Sequence, residues 1–412
     1  VKAAMTEGLA DPRNRVTDAH STLYRRWAEG RAGGLITGNV QIDRQHLERV
    51  GNVVIDAKAG DDEIGMFSRW VDAAKSQGAA FIMQVSHAGR QTPKLVNPRP
   101  AAPSPVALGL PGGQFGQPRA MTQDEIRHVV EGFGRATRLA KEVGFDGVQV
   151  HAAHGYLLSS FLSPLANRRE DDWGGPLENR ARLLADCVRE TKIEGGAAFS
   201  VSVKLNSADF QKGGFSHVDC LMVIDMLNAL GVDFVEISGG NYEQPRMMDM
   251  EGLEPSFEEP KRSSTREREA YFLTYAKSVQ DRASMPLMVT GGFRTLAGMN
   301  AAVAAGETDL IGIGRPLCVD TATPIKLLSG QIEAADRWES RLRIGPGIFG
   351  PNSPIKLIKA LNGFGAQGWY YEQIRFLAAD MAPDPELGVL QAFLKHQRRE
   401  ASGARAWRAA MP

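Results

Sequence analysis

Cysteine is scarce in this chain: three residues, Cys187, Cys220 and Cys318, lie far apart in 412 positions. That excludes a disulfide framework, a Cys-rich zinc site and an iron–sulfur cluster, and points to a reducing compartment. An excess of either charge is missing too, because Lys+Arg and Asp+Glu both number 48. Neither nucleic acid nor an anionic membrane surface is therefore the expected partner. No run approaches the ~18 uninterrupted apolar residues of a membrane-crossing helix. Histidine is limited to eight residues, with no Cys-x-x-Cys or His-Glu-x-x-His motif, so His-x-x-His at 151–154 is a weak zinc signal and no metal is expected. What remains is length enough for one large domain of about 250–330 residues with an appendage, and a small molecule as the expected ligand. The chain opens at Val1-Lys2 without an initiator methionine, and the cytoplasm is the expected location.

Strand and helix signals alternate along the first three quarters of the chain. Apolar, β-branched runs predict strands at Val1–Met5, Gly34–Val40, Ala79–Val85, Gly147–His151, Phe199–Leu205, Asp233–Ile237, Pro286–Thr290 and Asp309–Ile313. Between them, helices are expected over Thr17–Glu29, Asp61–Ser76, Thr122–Leu139, Leu177–Glu194, His217–Leu230, Glu269–Val279 and Thr295–Ala305. Thr17 caps the first of these, and Thr122 with Glu125 forms a capping box on the third. Eight such units in one run predict an α/β fold of the (β/α)8 TIM-barrel class over residues 1–329, with a C-terminal extension at 330–412. The open doubly wound sheet is the alternative, but no Gly-rich turn follows the first strand. Gly345–Gly350 spells G-x-G-x-x-G without a strand–turn–helix context, and Pro351 and Pro354 follow it, so it reads as coil.

Two stretches interrupt the regular pattern. Residues Gln91–Ala120 hold seven prolines, too many for a helix or central strand, and predict a long loop over one end of the fold. A charged insertion occupies Glu254–Arg268. In the extension, a helix is expected near Leu387–Arg399, and the cluster Trp369-Tyr370-Tyr371 can serve as packing on the barrel, as a homo-oligomer contact or as a lid. Packing is the favoured expectation.

In a barrel of this class the site lies at the C-terminal ends of the strands. Collecting what stands there gives Met5, Thr6 and Glu7; Gly38 and Asn39; Gln84, His87 and Arg90; and His151, His154 and Tyr156. Lys204 follows on strand five, Ser238–Asn241 after strand six, Gly291-Gly292 after strand seven and Gly314-Arg315 after strand eight. The glycines leave backbone N–H groups free to approach a phosphate, and Arg315 adds positive charge, so a phosphorylated ligand is indicated. Gln84 and Lys204 could bond a flat heterocycle from below; alternatively, Lys204 pairs with an acid such as Asp209 or serves as a Schiff-base lysine.

The motifs Val1–Thr6, Gln84–Arg90, His151–Tyr156, Leu162–Asp171 with Trp173-Gly174-Gly175, Gly291-Gly292 and Gly314-Arg315-Pro316 together resemble the Old Yellow Enzyme family of FMN-dependent ene-reductases. The resemblance covers about Val1–Pro316. It implies non-covalent FMN at the barrel mouth and NADH or NADPH as reductant. Ala4, Met5 and Thr6 would run along the flavin ring, Asn39 and Gln84 would contact it, and Lys204 would lie near its N1 and O2. Gly291, Gly292, Gly314 and Arg315 would take the phosphate. His151 and His154 would bind the electron-withdrawing oxygen of an activated alkene, and Tyr156 would donate the proton. Thr6 stands where part of the family has Cys, and Gly8 where some members have a substrate-binding Tyr. A flavin-free barrel lyase or isomerase acting on a phosphorylated substrate is the competing reading.

Overall fold

A computed structural model describes residues 1–110, 112–244 and 273–411. The insertion expected at Glu254–Arg268 and the start of the helix expected at Glu269 lie outside the described residues. The elements, in order, are α1 (Asp18–Glu29), β1 (Gly34–Ile36), β2 (Val40–Gln41), α2 (Asp61–Lys75), β3 (Ala80–Ser86), β4 (Ala101–Ala102), β5 (Arg119–Ala120), α3 (Gln123–Glu142) and β6 (Gly147–Ala152). There follow α4 (Leu157–Leu162), α5 (Leu177–Arg180), α6 (Arg182–Gly195), β7 (Ser200–Asn206), α7 (His217–Leu230), β8 (Phe234–Ser238), α8 (Leu273–Gln280), β9 (Leu287–Thr290), α9 (Leu296–Ala304), β10 (Leu310–Gly312), α10 (Thr323–Leu328), α11 (Lys356–Ala378) and α12 (Val389–Ala410).

The main sheet is parallel throughout, in the order β1-β3-β6-β7-β8-β9-β10, with β2 also on β3. Lys2 closes it into a (β/α)8 barrel by bridging Leu35 on one side and Ile313 on the other. The first strand is therefore much shorter than the expected Val1–Met5. Backbone bonds from Lys2 to Gly34 (2.8 Å) and from Ala3 to Ile313 (2.9 Å) hold it, after which the chain leaves the sheet to cross Gly38. A Cβ on Gly38 would come within 2.5 Å of the Met5 carbonyl oxygen, so only glycine lets Met5 and Thr6 lie this close to the barrel end.

The helices bury one face each against the strands. On α1 that face is Leu23, Tyr24 and Trp27, all essentially inaccessible; on α3 it includes Ile126, Val129, Phe133 and Leu139. Thr122 accepts the Glu125 backbone N–H at 3.2 Å while the Glu125 carboxylate receives the Thr122 N–H at 2.9 Å, the reciprocal cap that the sequence spacing predicts. Among the described residues, Gln91–Ala120 is a loop that carries the short β4–β5 pair and an isolated Pro93–Phe115 bridge.

The extension departs from expectation. A 23-residue helix, α11, runs through Asn362-Gly363-Phe364-Gly365 and Trp369-Tyr370-Tyr371, where no helix was expected, and α12 extends the anticipated C-terminal helix to Ala410. The glycines that argue against a helix serve its packing. A Cβ on Gly365 would meet Val389 Cγ1 at 2.6 Å, so its bare surface lets α12 approach closely. α11 packs against α1 and α12 and buries Trp369 completely. The Gly345–Gly350 segment contains one short 3-10 turn at Gly347–Phe349 rather than plain coil.

Candidate active site

The end of β6 and the turn after it create the centre of the site. His154 adopts a left-handed conformation with φ 65°, followed by Gly155 at 79°, and Tyr156 then starts α4 as its N-terminal flanking residue. A non-glycine residue in this region is strained unless its surroundings fix it. Here the His154 N–H donates to Asn206 Oδ1 at 3.1 Å, and its carbonyl accepts from Gln91 Nε2 at 3.0 Å. Three rings converge as a result: His151 lies 5.2 Å from His154 and 5.0 Å from Tyr156 between ring centres.

Burial, with the nearby Lys204 charge, pushes both imidazoles well below their ordinary pKa, and His151 lowers His154 further. Both are neutral near pH 7. The Ala153 N–H donates to His151 Nδ1 at 3.3 Å, which leaves the proton of the neutral ring on Nε2. His154 Nε2 is 2.8 Å from Ser238 Oγ. Burial, reinforced by the charge of Glu48, pushes the Tyr156 phenol far above its usual value, so it is a protonated acid, and its oxygen is 2.9 Å from the Tyr242 hydroxyl.

A cavity of about 340 Å³ opens at the C-terminal ends of the strands. Ten of the thirteen residues expected in the site line it: Ala4, Met5, Thr6, His154, Tyr156, Lys204, Gly291, Gly292, Gly314 and Arg315. Among the described residues, His151, Asn39 and Gln84 do not reach its wall. Gln84 lies within the barrel, where its Nε2 donates to Gln149 Oε1 (2.7 Å) and Gln149 Nε2 donates to Glu236 Oε2 (2.9 Å). Lys204 completes this chain with an ion pair to Glu236 Oε1 at 2.8 Å. The acid partner is thus Glu236 on the adjacent strand, directly opposite Lys204 in the β7–β8 register, and not Asp209, which turns to Asn206 and the Phe215 N–H.

A second histidine group, His46 and His87 around Asp43, has the ligand types of a metal site, but three of its four ring nitrogens are engaged in hydrogen bonds, and His87 Nε2 faces Asp43 at 3.8 Å. His46 Nε2 accepts from the Ala101 N–H (2.8 Å), which turns its Nδ1–H to Asp43 at 2.6 Å. The Gly89 N–H likewise occupies His87 Nδ1. Burial and the neighbouring His46 bring His87 down to about 3, and Asp43, despite its own burial, is held well below the ordinary carboxylate range by His46. This cluster is a hydrogen-bonded brace for the loop after β2.

Several cavity residues are absent from the sequence expectation. Glu48 comes from the loop after β2 and Tyr242 from the segment after β8, one position past the Ser238–Asn241 stretch. Phe364, Gln367, Tyr370 and Tyr371 come from α11. The aromatic cluster was the signal for this helix, but its placement over the barrel mouth depends on tertiary packing.

A (β/α)8 barrel with two neutral imidazoles, a buried phenol and a lysine–glutamate pair at one end has the parts of an enzyme site that handles protons and developing negative charge. The chain belongs to the NADH:flavin oxidoreductase / NADH oxidase family, whose model matches residues 1–333. It is 37% identical over 341 residues to the NADH-dependent flavin oxidoreductase iliE of Hypocrea jecorina, covering 79% of this chain and 83% of that one. With iccE of Talaromyces variabilis, also a NADH-dependent flavin oxidoreductase, it shares 34% over 401 residues, 92% of this chain and 94% of that one. It spans only 44% of the iliE protein of Neonectria sp., at 38% identity over 79% of this chain. Among solved structures, an old yellow enzyme homologue from Zymomonas mobilis aligns with a TM-score of 0.67 at 24% identity, over 82% of this chain and 90% of that one. The protein is an oxidoreductase of this flavin-dependent family, with FMN and NAD(P)H as its cofactors.

The cavity residues fit FMN. Gly291 and Gly292 have φ of 121° and 89°, conformations that expose backbone without a side chain in the way. The Thr290 hydroxyl beside them has no hydrogen-bond partner among the described residues, and Thr290 lines the cavity. Arg294 and Arg315 approach Glu339 at 2.6 and 4.0 Å; burial would raise this carboxyl, but the two guanidiniums hold it low. We expect Arg315→Ala to loosen FMN by about tenfold or more, since a hydrogen bond to a charged group contributes roughly 1.5–3 kcal/mol. Ultrafiltration at graded dilution measures the released flavin, and retention equal to wild type would remove Arg315 from the phosphate site.

Proposed function

We propose that the protein reduces activated C=C bonds, as in α,β-unsaturated carbonyl or nitro compounds, with NAD(P)H in a ping-pong cycle. The observation that carries this reading is the convergence of His151, His154 and Tyr156 at one strand end. FMN, held by Ala4, Met5, Thr6, Lys204, Gly291, Gly292, Gly314 and Arg315 on the cavity wall, would supply the hydride, drawn from the nicotinamide, for the β-carbon of the alkene. The negative charge that develops on the carbonyl or nitro oxygen would be stabilised, as in an oxyanion hole, by neutral His154 on the cavity wall and by neutral His151, whose ring centre is 5.2 Å from it and which a bound substrate would have to reach past that wall. Tyr156 supplies the α-proton. Lys204, which lines the cavity, would supply positive charge to a flavin held there and so favour its reduction. Helix α11 closes the outer side of the cavity with Phe364, Gln367 and Tyr371, so the extension at 330–412 contributes to substrate choice. The flavin-free lyase reading loses support, because the family is a flavin oxidoreductase family and Lys204 is held by Glu236.

Anaerobic titration with NADH and NADPH, followed by a panel of enones, enoates and nitroalkenes, tests the reaction. Flavin that is reduced yet reoxidised by none of these acceptors would sink the proposal. Phenols test the oxyanion site: the phenolate oxygen should lie between the two imidazoles and produce a long-wavelength charge-transfer band. His151→Ala and His154→Ala should each weaken this binding by about tenfold or more. Wild-type titration curves in both variants would make the histidines structural. Because both folded-state pKa values lie well below the ordinary 6.5, the unfolded chain binds protons first on acidification. Their contribution to stability is therefore complete above about 6.5 and is lost as pH falls below it.

A further inference from the structure

Once Tyr156 has given up its proton, the buried phenolate must be neutralised, and the residues around it show from where. Its hydroxyl is within 2.9 Å of the Tyr242 hydroxyl, which in turn is 3.4 Å from Glu48 Oε1. Glu48 is almost fully buried, yet it lines the same cavity. A carboxyl group hidden behind two phenols has no evident task in binding a neutral alkene. We propose that Tyr242 and Glu48 form a proton relay that recharges Tyr156 during substrate reduction, an inference that rests on Tyr156 being the proton donor.

The step balances as follows. The Tyr156 O–H bond breaks as a C–H bond forms at the α-carbon, and the hydride at the β-carbon comes from the reduced cofactor. The Tyr242 O–H breaks and a new O–H forms on Tyr156; the Glu48 O–H breaks and its proton goes to Tyr242. Glu48 is left as a carboxylate beside Arg49, whose Nε is 3.2 Å from Oε2, and it regains a proton from water once product has left the cavity.

The polarity of the chain depends on Glu48. With Glu48 ionised, Tyr242 donates to it and Tyr156 donates to Tyr242, so the phenolic proton points away from substrate. With Glu48 protonated, every bond reverses and the Tyr156 proton is free to face the alkene. The groups around Glu48 are Arg49 on its own loop, Tyr242 after β8, Tyr156 after β6, Tyr371 on α11 with Arg375 beyond Arg49, and Glu400 on α12. Burial pushes Glu48 above the usual carboxylate range, and Glu400 adds to this, while Arg49 opposes it. Protonated Glu48 thus persists to higher pH than an exposed carboxyl would allow. Reoxidation by substrate should accordingly slow as pH rises through the Glu48 titration.

The test is stopped-flow reoxidation of the reduced holoenzyme by cyclohexenone across pH, in wild type, Glu48→Gln, Tyr242→Phe and Tyr156→Phe. We expect Glu48→Gln and Tyr242→Phe to slow reoxidation by roughly 10²-fold, the lower end for a positioned acid. Glu48→Gln should also flatten the alkaline limb, and flavin reduction by nicotinamide should be unchanged in both. A readout independent of turnover is the infrared C=O stretch of a protonated carboxyl in the flavin-free protein. It should vanish in Glu48→Gln and titrate with the midpoint of the rate profile. If Tyr156→Phe is slow but both relay variants keep the wild-type rate and pH limb, the relay is wrong and Tyr156 is reprotonated by water. If Tyr156→Phe itself reoxidises normally, the donor assignment fails, and the relay with it.

Discussion

Tyr156→Phe should slow reoxidation of the reduced enzyme by an enone about 10²–10⁴-fold, the contribution of a positioned general acid, or roughly 3–5 kcal/mol of barrier. The substitution removes one hydroxyl from a residue that is 5% exposed and whose ring packs edge-on against His151 and Tyr242, so the ring should stay in place. Flavin reduction by nicotinamide draws no proton from this phenol and should change little. Nitro acceptors, which can take hydride and then draw a proton from water, should suffer less than enones. Stopped-flow measurement of each half-reaction separates the outcomes. Equal slowing of both halves would mean that the flavin site has been disturbed, and unchanged enone reoxidation would mean that another group delivers the proton.

The barrel was legible because each of its units repeats the same two periodicities, and the alternation of apolar strands with capped amphipathic helices leaves few other topologies. The residues at the strand ends were legible for the same reason, since the architecture alone says which end carries chemistry. Pairings across strands were harder to read. Lys204 meets Glu236 because parallel β7 and β8 bring them opposite each other, a register that neither strand's own sequence states. Gln84 donates to Gln149 for the same reason, since parallel β3 and β6 bring the two opposite each other. The extension was least legible: no helix was expected over the stretch that forms α11, because its apolar residues bury themselves only once α12 packs on it, and at Gly365 the missing side chain is what allows the two helices to touch. Glu48 and Tyr242 carry no motif at all and become visible only when their loops fold over Tyr156.

Lys204→Met should destabilise the folded protein by about 3–5 kcal/mol, the usual effect of stranding one member of a buried ion pair. Both partners are nearly inaccessible, with side-chain exposures of 4% for Lys204 and 0% for Glu236. Without the ammonium, Glu236 keeps the Gln149 amide at 2.9 Å and the more distant positive charges of Lys2 and the N-terminus, so among the described residues one carboxylate oxygen loses its close partner inside the barrel. The double variant Lys204→Met/Glu236→Gln should recover much of the loss, because a neutral amide in the same place needs no counter-charge. Denaturant titration of the three proteins checks this, and a single variant as stable as wild type would show that Glu236 is already neutral or reached by water. The same substitution has a second signature. The Lys204 charge, after burial, helps to hold both His151 and His154 low, so removing it should raise both imidazole pKa values, and phenol binding should acquire a pH dependence at mildly acidic pH that wild type lacks. Stability recovered in the double variant together with a still-raised histidine titration would separate the two roles of Lys204, as counter-ion to Glu236 and as source of the field that keeps the oxyanion donors neutral.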